Sequence, residues 1–214
     1  QPLNVEEIKA LKQVPSVDEQ MKNELGIITT EMKNKTLVES INLPSLNING
    51  IQSANVGRLA NNIIPAIATA VLDLRLVLGN DWQRQQQKVI NHIRMLGYTV
   101  IDHDPTDNER KKYPKLIKVI TGNDSYNAQR TSMTLPVTKK VIDAVKSTTN
   151  EQVVLMPTLG GSLPLFVFEK YLNAKTITIP IANHDNNQHA ENENIRLMNL
   201  WNGIETMAAL MMMK

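Results

Sequence analysis

His189 is the side chain best suited by type to bind a metal or move a proton. It sits in an asparagine-rich stretch running from Ala182 to Glu193, Ala-Asn-His-Asp-Asn-Asn-Gln-His-Ala-Glu-Asn-Glu. A strand-like run precedes this stretch and a long helical pattern follows it. In an α/β domain, such a place at the carboxyl end of a strand is where ligands bind. The alternative is a surface loop in which Asn192 or Asn194 caps the next helix. His184 lies five residues earlier, but two histidines without a third ligand do not make a zinc site. The chain has no cysteine, so disulfides and thiolate sites are excluded and any zinc must rest on imidazole and carboxylate.

Three other places carry candidate chemistry. The run Thr158-Leu-Gly-Gly-Ser-Leu-Pro164 follows a strand pattern and opens a helix, where backbone N–H groups and the positive helix end can hold an anion. Its paired glycines, Gly160 and Gly161, allow close approach of a ligand, and Ser162 adds a hydroxyl. The run matches neither a Walker loop nor a dinucleotide fingerprint, and a tight turn without a ligand is the other reading. Asn62 and Arg75 lie on either side of Pro65. A guanidinium there can take a carboxylate in two parallel bonds, or it can pair with Asp73 on its own strand face. Arg130 is a single charge with no local context.

The elements that must position these residues follow from hydropathy period. Residues 1–45 read as short helices over Val5–Val14, Val17–Leu25 and Thr36–Ile41, whose narrow apolar faces need a partner surface. From Leu46 the period falls to two, giving a strand, and Ala66–Val77 gives a second. Trp82–Leu96 is an amphipathic helix, with Leu78–Asp81 supplying a turn and cap and Gly97 the stop. Tyr98–Ile101 and Leu116–Ile120 read as strands on either side of a charged loop, 102–114. That order predicts an α+β unit on an antiparallel sheet. After a boundary near Gly122–Tyr126, a helix at Pro136–Ser147, strands at Val153–Pro157 and Thr176–Ile181, and helices at Leu165–Leu172 and Ile195–Met213 predict an α/β unit with a mostly parallel sheet clad in helices.

Taken in order, Leu46-Asn-Ile-Asn-Gly50, Asn62-Ile-Ile-Pro65, Ala70-Val-Leu-Asp-Leu-Arg75 and Gly160-Gly-Ser-Leu-Pro164 resemble segments of the co-catalytic zinc metallopeptidases, as does His189-Ala-Glu-Asn-Glu193. That family includes carnosinases, glutamate carboxypeptidase, aminoacylase, acetylornithine deacetylase and succinyl-diaminopimelate desuccinylase. The Gly-Gly-Ser-hydrophobic-Pro run is most similar to the carnosinase branch. The resemblance implies a mixed-sheet catalytic domain that holds two zinc ions and is interrupted by an α+β lid that dimerises. On this reading residues 1–45 are a helical lead-in, 46–122 a partial lid and 123–214 the last portion of the catalytic domain. His189 would be the final zinc-ligating histidine. Asn62, Arg75, Arg130, Gly160, Gly161 and Ser162 would contact substrate, a small peptide or N-acyl amino acid. The family's His-x-Asp motif, bridging Asp and paired Glu with the general base have no counterpart here, so the expectation is a C-terminal half that contributes at most one zinc ligand and is inactive alone.

The charge balance bounds the alternatives. With 23 Lys and Arg against 21 Asp and Glu, a dedicated nucleic-acid binder is not expected. The densest basic run, Arg110 to Lys112, reads as a solvated turn. The methionine-rich stretch from Ile195 to Met213 is interrupted by Arg196, Asn199, Asn202 and Glu205, so no membrane span is expected. The start at Gln1, without a leader, reads as a processed product or a piece of a longer protein, and the compartment is left open with the cytoplasm favoured. Two other functions fit the residues: a non-catalytic binding or dimerisation module retaining lid and pocket, and an anion-binding protein using the Gly160 turn.

Overall fold

A computed structural model describes residues 1–122, 125–161 and 163–213. In chain order it contains α1 (Val5–Lys12), α2 (Asp18–Leu25), α3 (Leu37–Ser40), β1 (Ser45–Ser53) and β2 (Ala68–Arg75). Then come α4 (Trp82–Met95), β3 (Thr99–Ile101), α5 (Asp107–Lys112) and β4 (Leu116–Lys118). The last elements are α6 (Pro136–Lys146), α7 (Phe166–Leu172) and α8 (Leu197–Met211). The chain divides into two compact units: Asn42–Gln129 with Gln1, and Pro2–Ile41 with the residues from Arg130 onward.

In the first unit β1 and β2 pair antiparallel from Ser45↔Arg75 to Ser53↔Ala68. The register shifts between Ile48 and Gly50, so Asn49 is the extra residue of a bulge. Helix α4 begins at Asp81, whose carboxylate accepts the Arg84 N–H at 2.9 Å. It ends before Gly97, at φ 85°, a backbone conformation that glycine adopts at no steric cost. The Trp82 N–H donates to Asn127 Oδ1 at 2.8 Å, tying the start of α4 to the end of the unit.

The second pair of strands departs from the expected antiparallel sheet. β3 and β4 are three residues each and run parallel. A parallel pair requires a crossover, and the segment expected as a charged loop supplies one by folding into α5. Thr106 and Glu109 form a capping box there: the Glu109 N–H donates to Thr106 Oγ1 at 3.3 Å and the Thr106 N–H to Glu109 Oε2 at 2.9 Å. Arg110, Lys111 and Lys112 make the last turn of this helix, where positive charge suits the helix dipole.

In the second unit α1 and α3 also start on capping boxes, Asn4 with Glu7 and Thr36 with Glu39. α2 stops at Gly26, φ 66°. The Leu37 N–H donates to Asp18 Oδ2 at 3.0 Å, joining α3 to α2. α6 opens with Pro136 in its first turn, where a missing N–H costs nothing. Residues 153–157 and 176–181, expected as strands, are in no ladder among the described residues. β-branched runs need a neighbouring strand. Here side chains serve the backbone instead: Thr131 Oγ1 donates to Thr176 O at 2.6 Å and Asn199 Nδ2 to Ile181 O at 3.1 Å.

Burial is sparse. No described residue of the first unit is buried, and in the second unit the buried hydrophobic side chains are Ala10 and Val141. On the β1–β2 sheet Ile48 is 60% and Ile51 72% exposed. A free-standing domain of this size withdraws about two thirds of its unfolded surface from water. By that measure the described residues leave unusually much apolar surface open.

Two outcomes test this description. A Cβ at Gly203 in α8 would stand 2.9 Å from Ile181 Cγ2 and 3.0 Å from its Cβ. Alanine gains about 1 kcal/mol of helix propensity but overpacking costs about 1–3 kcal/mol, so Gly203→Ala lowers the urea midpoint rather than raising it. The second concerns His103, whose ring nitrogens lie 3.1 Å from Asp102 Oδ1 and 3.1 Å from Glu109 Oε1. Asp102 first and Glu109 second raise its pKa above 6.5. The pairing therefore stabilises the fold fully below pH 6.5 and is lost as pH rises through the raised value. An NMR titration places the His103 midpoint above 6.5, and Glu109→Gln brings it down.

Candidate functional site

The two candidates on the first unit sit on the β1–β2 hairpin and its connection. Asn62 is exposed and is the central residue of a three-residue turn closed by the Ile63 N–H on Asn61 O at 3.0 Å. Arg75 is the last residue of β2, opposite Ser45. Its Nε lies 3.0 Å from Asp73 Oδ2, with both side chains part-exposed at 46% and 36%. Residues i and i+2 of a strand share a face, so this pair follows from the sequence. A pair so exposed contributes at most about 1 kcal/mol.

Arg130, by contrast, is enclosed. Its side chain is 10% exposed, its Nε lies 3.4 Å from Glu7 Oε1, and its Nη2 donates to Pro2 O at 3.1 Å. Glu7 is the most deeply buried side chain described, at 1%. Its other oxygen accepts the Asn4 N–H at 2.8 Å. The carboxylate thus completes the α1 capping box and an ion pair at once. To take a substrate carboxylate, Arg130 would have to give up Glu7.

Gly160 and Gly161 are exposed. A Cβ at Gly160 would meet Ile41 Cγ2 at an ordinary 3.7 Å, and one at Gly161 would meet nothing within 4 Å. Neither has a positive φ, so what these glycines keep open is space beside the backbone. Ser162 lies outside the described residues.

His189 is exposed, with φ 66°, and its ring makes no hydrogen bond or ion pair among the described residues. The loop around it is tied to itself. Asn183, 7% exposed, accepts the Arg196 N–H on Oδ1 at 3.0 Å and donates through Nδ2 to Asp185 Oδ1 at 2.6 Å. Asp185 Oδ2 receives Arg196 Nη2 at 2.5 Å. The Asn183 amide first, then the backbone N–H of Asp185 itself and after it the Arg196 charge, hold the Asp185 carboxyl below its usual range. His184 Nε2 lies 3.3 Å from Glu24 Oε2 at the end of α2, so this imidazole has a structural partner. Neither Asn192 nor Asn194 caps α8: the N-cap is Arg196, without a side-chain cap bond, and Asn194 turns its Nδ2 to Asn192 O at 2.9 Å.

Among the described residues no hydrogen bond or ion pair links Arg130, Gly160 and His189, and no group of three or more His, Asp or Glu gathers to hold a metal. An exposed, unengaged imidazole suits a zinc ligand, but a catalytic zinc takes three protein ligands before its open position is useful. The described residues do not make a complete metal site. Sequence reasoning missed Asn183, Asp185 and Arg196 as the base of the His189 loop, and Glu7 as the partner of Arg130. The Asn4-x-x-Glu7 spacing signalled only the cap.

Residues 7–98 match the peptidase dimerisation domain of the M20 peptidases. The match begins in α1 and runs through β1, β2 and α4. The Cys-Gly metallodipeptidase DUG1 of Saccharomyces cerevisiae is 26% identical over 213 residues, covering 97% of this chain and 41% of the relative. Among solved structures, an M20 family metallo-carboxypeptidase from Sulfolobus solfataricus superposes with a TM-score of 0.76 at 22% identity, over 98% of this chain and 45% of that one. Human carnosine dipeptidase 1 does so with 0.71 at 19% identity, over 98% and 42%. The fold is therefore that of the matched part of M20 peptidases, α/β with small sheets, and the resemblance read from the ordered motifs holds. The family it resembles is the M20 peptidases, which are metal-dependent, and the chain spans less than half the length of the relatives it matches.

The buried ion pair yields a stability test. Arg130→Met leaves the Glu7 carboxylate buried without its counter-charge and lowers the unfolding free energy by about 3 kcal/mol. Adding Glu7→Gln recovers part of that loss, as read by urea denaturation.

Proposed function

We propose that this chain is the C-terminal portion of a zinc-dependent metallopeptidase that cleaves dipeptides or N-acyl amino acids, and that it is inactive alone. The observation that carries the reading is the coverage: 97% of this chain aligns with 41% of a metallodipeptidase. His189 supplies one ligand to a zinc ion whose other ligands, with the general base, come from the remainder of the enzyme. The chemistry that zinc would supply there is polarisation of a scissile carbonyl and a lowered pKa for a water. The roles of this chain's own residues are binding and orientation.

Arg75 takes the substrate carboxylate, exchanging Asp73 for it, while Asn62 reaches the substrate from the lid. Gly160, Gly161 and Ser162 line the pocket at the carboxylate end, and Arg130 contributes only if Glu7 releases it. The match to a dimerisation domain supports a homodimer formed through the lid, residues 46–122. No helix among the described residues is long and apolar enough to cross a membrane.

The test is an assay of the purified chain with zinc on Cys-Gly and on N-acetyl amino acids. No turnover above buffer is expected, and zinc binding by calorimetry is weak and falls further in His189→Ala, because a lone imidazole cannot fix the metal. Turnover by the isolated chain would overturn the inactivity, and zinc binding unchanged in His189→Ala would overturn the ligand assignment.

A further inference from the structure

We propose that Asn183 is the positioning residue of the loop that carries His189, closing its base through the two ends of one buried amide. This rests on the reading of His189 as a ligand only for its purpose; the closure itself stands on the geometry. The Asn183 side chain is withdrawn from water and spends both its functions on the loop, accepting from the Arg196 N–H at 3.0 Å and donating to Asp185 at 2.6 Å. Arg196 returns to Asp185 at 2.5 Å, so Asn183, Asp185 and Arg196 form a closed ring at the point where the loop leaves residue 183 and rejoins the chain ahead of α8.

Above that ring the chain turns tightly. The Asn194 N–H donates to Asn186 O at 2.9 Å, the Ala190 N–H to Asn187 O at 3.1 Å, and the Gln188 N–H to Asn186 Oδ1 at 3.2 Å. Asn187 Nδ2 donates to Glu191 O. Asn187, His189 and Asn192 all hold positive φ, at 55°, 66° and 63°. Asparagine tolerates that region through its short polar side chain. Histidine, like asparagine, is among the non-glycine residues found there more often than most, so the left-handed turn at His189 fits its residue type. The His189 ring makes no hydrogen bond or ion pair of its own among the described residues, so what places it is the backbone of the loop, whose two ends meet at the ring of Asn183, Asp185 and Arg196. An amide suits the task because it must accept from a main-chain N–H and donate to a carboxylate in the same place, which neither a carboxylate nor a hydroxyl does as well.

Amide hydrogen exchange by NMR on the whole chain tests the proposal. In Asn183→Ala the Ala190 and Asn194 amides exchange about tenfold faster, while those in the middle of α6 keep their rates, as local opening requires. Asn183→Asp keeps the acceptor for Arg196 but sets a second carboxylate beside Asp185, and its acceleration is smaller, about threefold. Unchanged loop rates in the alanine variant, or α6 rates rising by the same factor, overturn the proposal. Should the alanine variant fail to fold, loop rates in Asn183→Asp equal to those of the parent overturn it as well. Circular dichroism monitors the fold in each. A separate failure of His189→Ala to change zinc binding would remove the metal role while leaving the exchange result intact.

Discussion

The carboxylate of Glu7 is the most enclosed group in the structure, and much of the second unit depends on how it is satisfied. One oxygen closes the capping box with the Asn4 N–H and the other faces Arg130. A buried carboxylate without a counter-charge costs several kcal/mol, so each contact requires the other. The result is a clasp between the start of α1 and the residue at which the chain re-enters this unit after the first one. Pro2 O takes a second bond from the same guanidinium, so the clasp fixes the direction of the segment ahead of α1 as well.

That so much falls to one ion pair reflects how little apolar surface is withdrawn from water. Among the described residues Ala10 and Val141 are the buried hydrophobic side chains, while Ile28 and Ile64 are almost fully exposed. Burial at about 25 cal/mol per Å² is the main favourable term of an ordinary domain. Where it is scarce, local devices set the shape: the capping boxes of α1, α3 and α5, the Asp81 cap of α4 and the left-handed glycines at 26 and 97. The relatives that this chain matches are more than twice its length. A face that is bare in this chain has, in a protein of that size, more polypeptide available to cover it.

What could be read from the sequence divides along the same line. Local signals were legible: Asp81 and Gly97 bound α4, the second helical pattern ends at Leu25 as α2 does, and the shared strand face of Asp73 and Arg75 offered their pairing as one reading. The Thr106-x-x-Glu109 signature of α5 was equally local, but the charge of that stretch read as a loop. Long-range relations were not legible. Arg130 showed no partner because Glu7 lies at the other end of the sequence. The β-branched run at 176–181 signalled a strand, yet a ladder needs a neighbour that propensity cannot supply. The ordered motifs led to the metallopeptidases and to His189. They did not reveal Asn183, since an asparagine among many asparagines has no distinguishing neighbours until the fold buries one of them.

The two sheets have a further consequence. Each contains two strands among the described residues, so every strand is an edge with one row of amide and carbonyl groups unpaired within the sheet. β1 and β2 are the long ones, and they combine those open rows with isoleucine, leucine and valine side chains at the surface. The Asn49 bulge interrupts the regular pairing at one point only. Such edges recruit further strands from neighbouring molecules unless something covers them. The β1–β2 hairpin is therefore the surface of this polypeptide that offers strand pairing to a neighbouring molecule, and a net charge of only +2 does little to oppose such an approach.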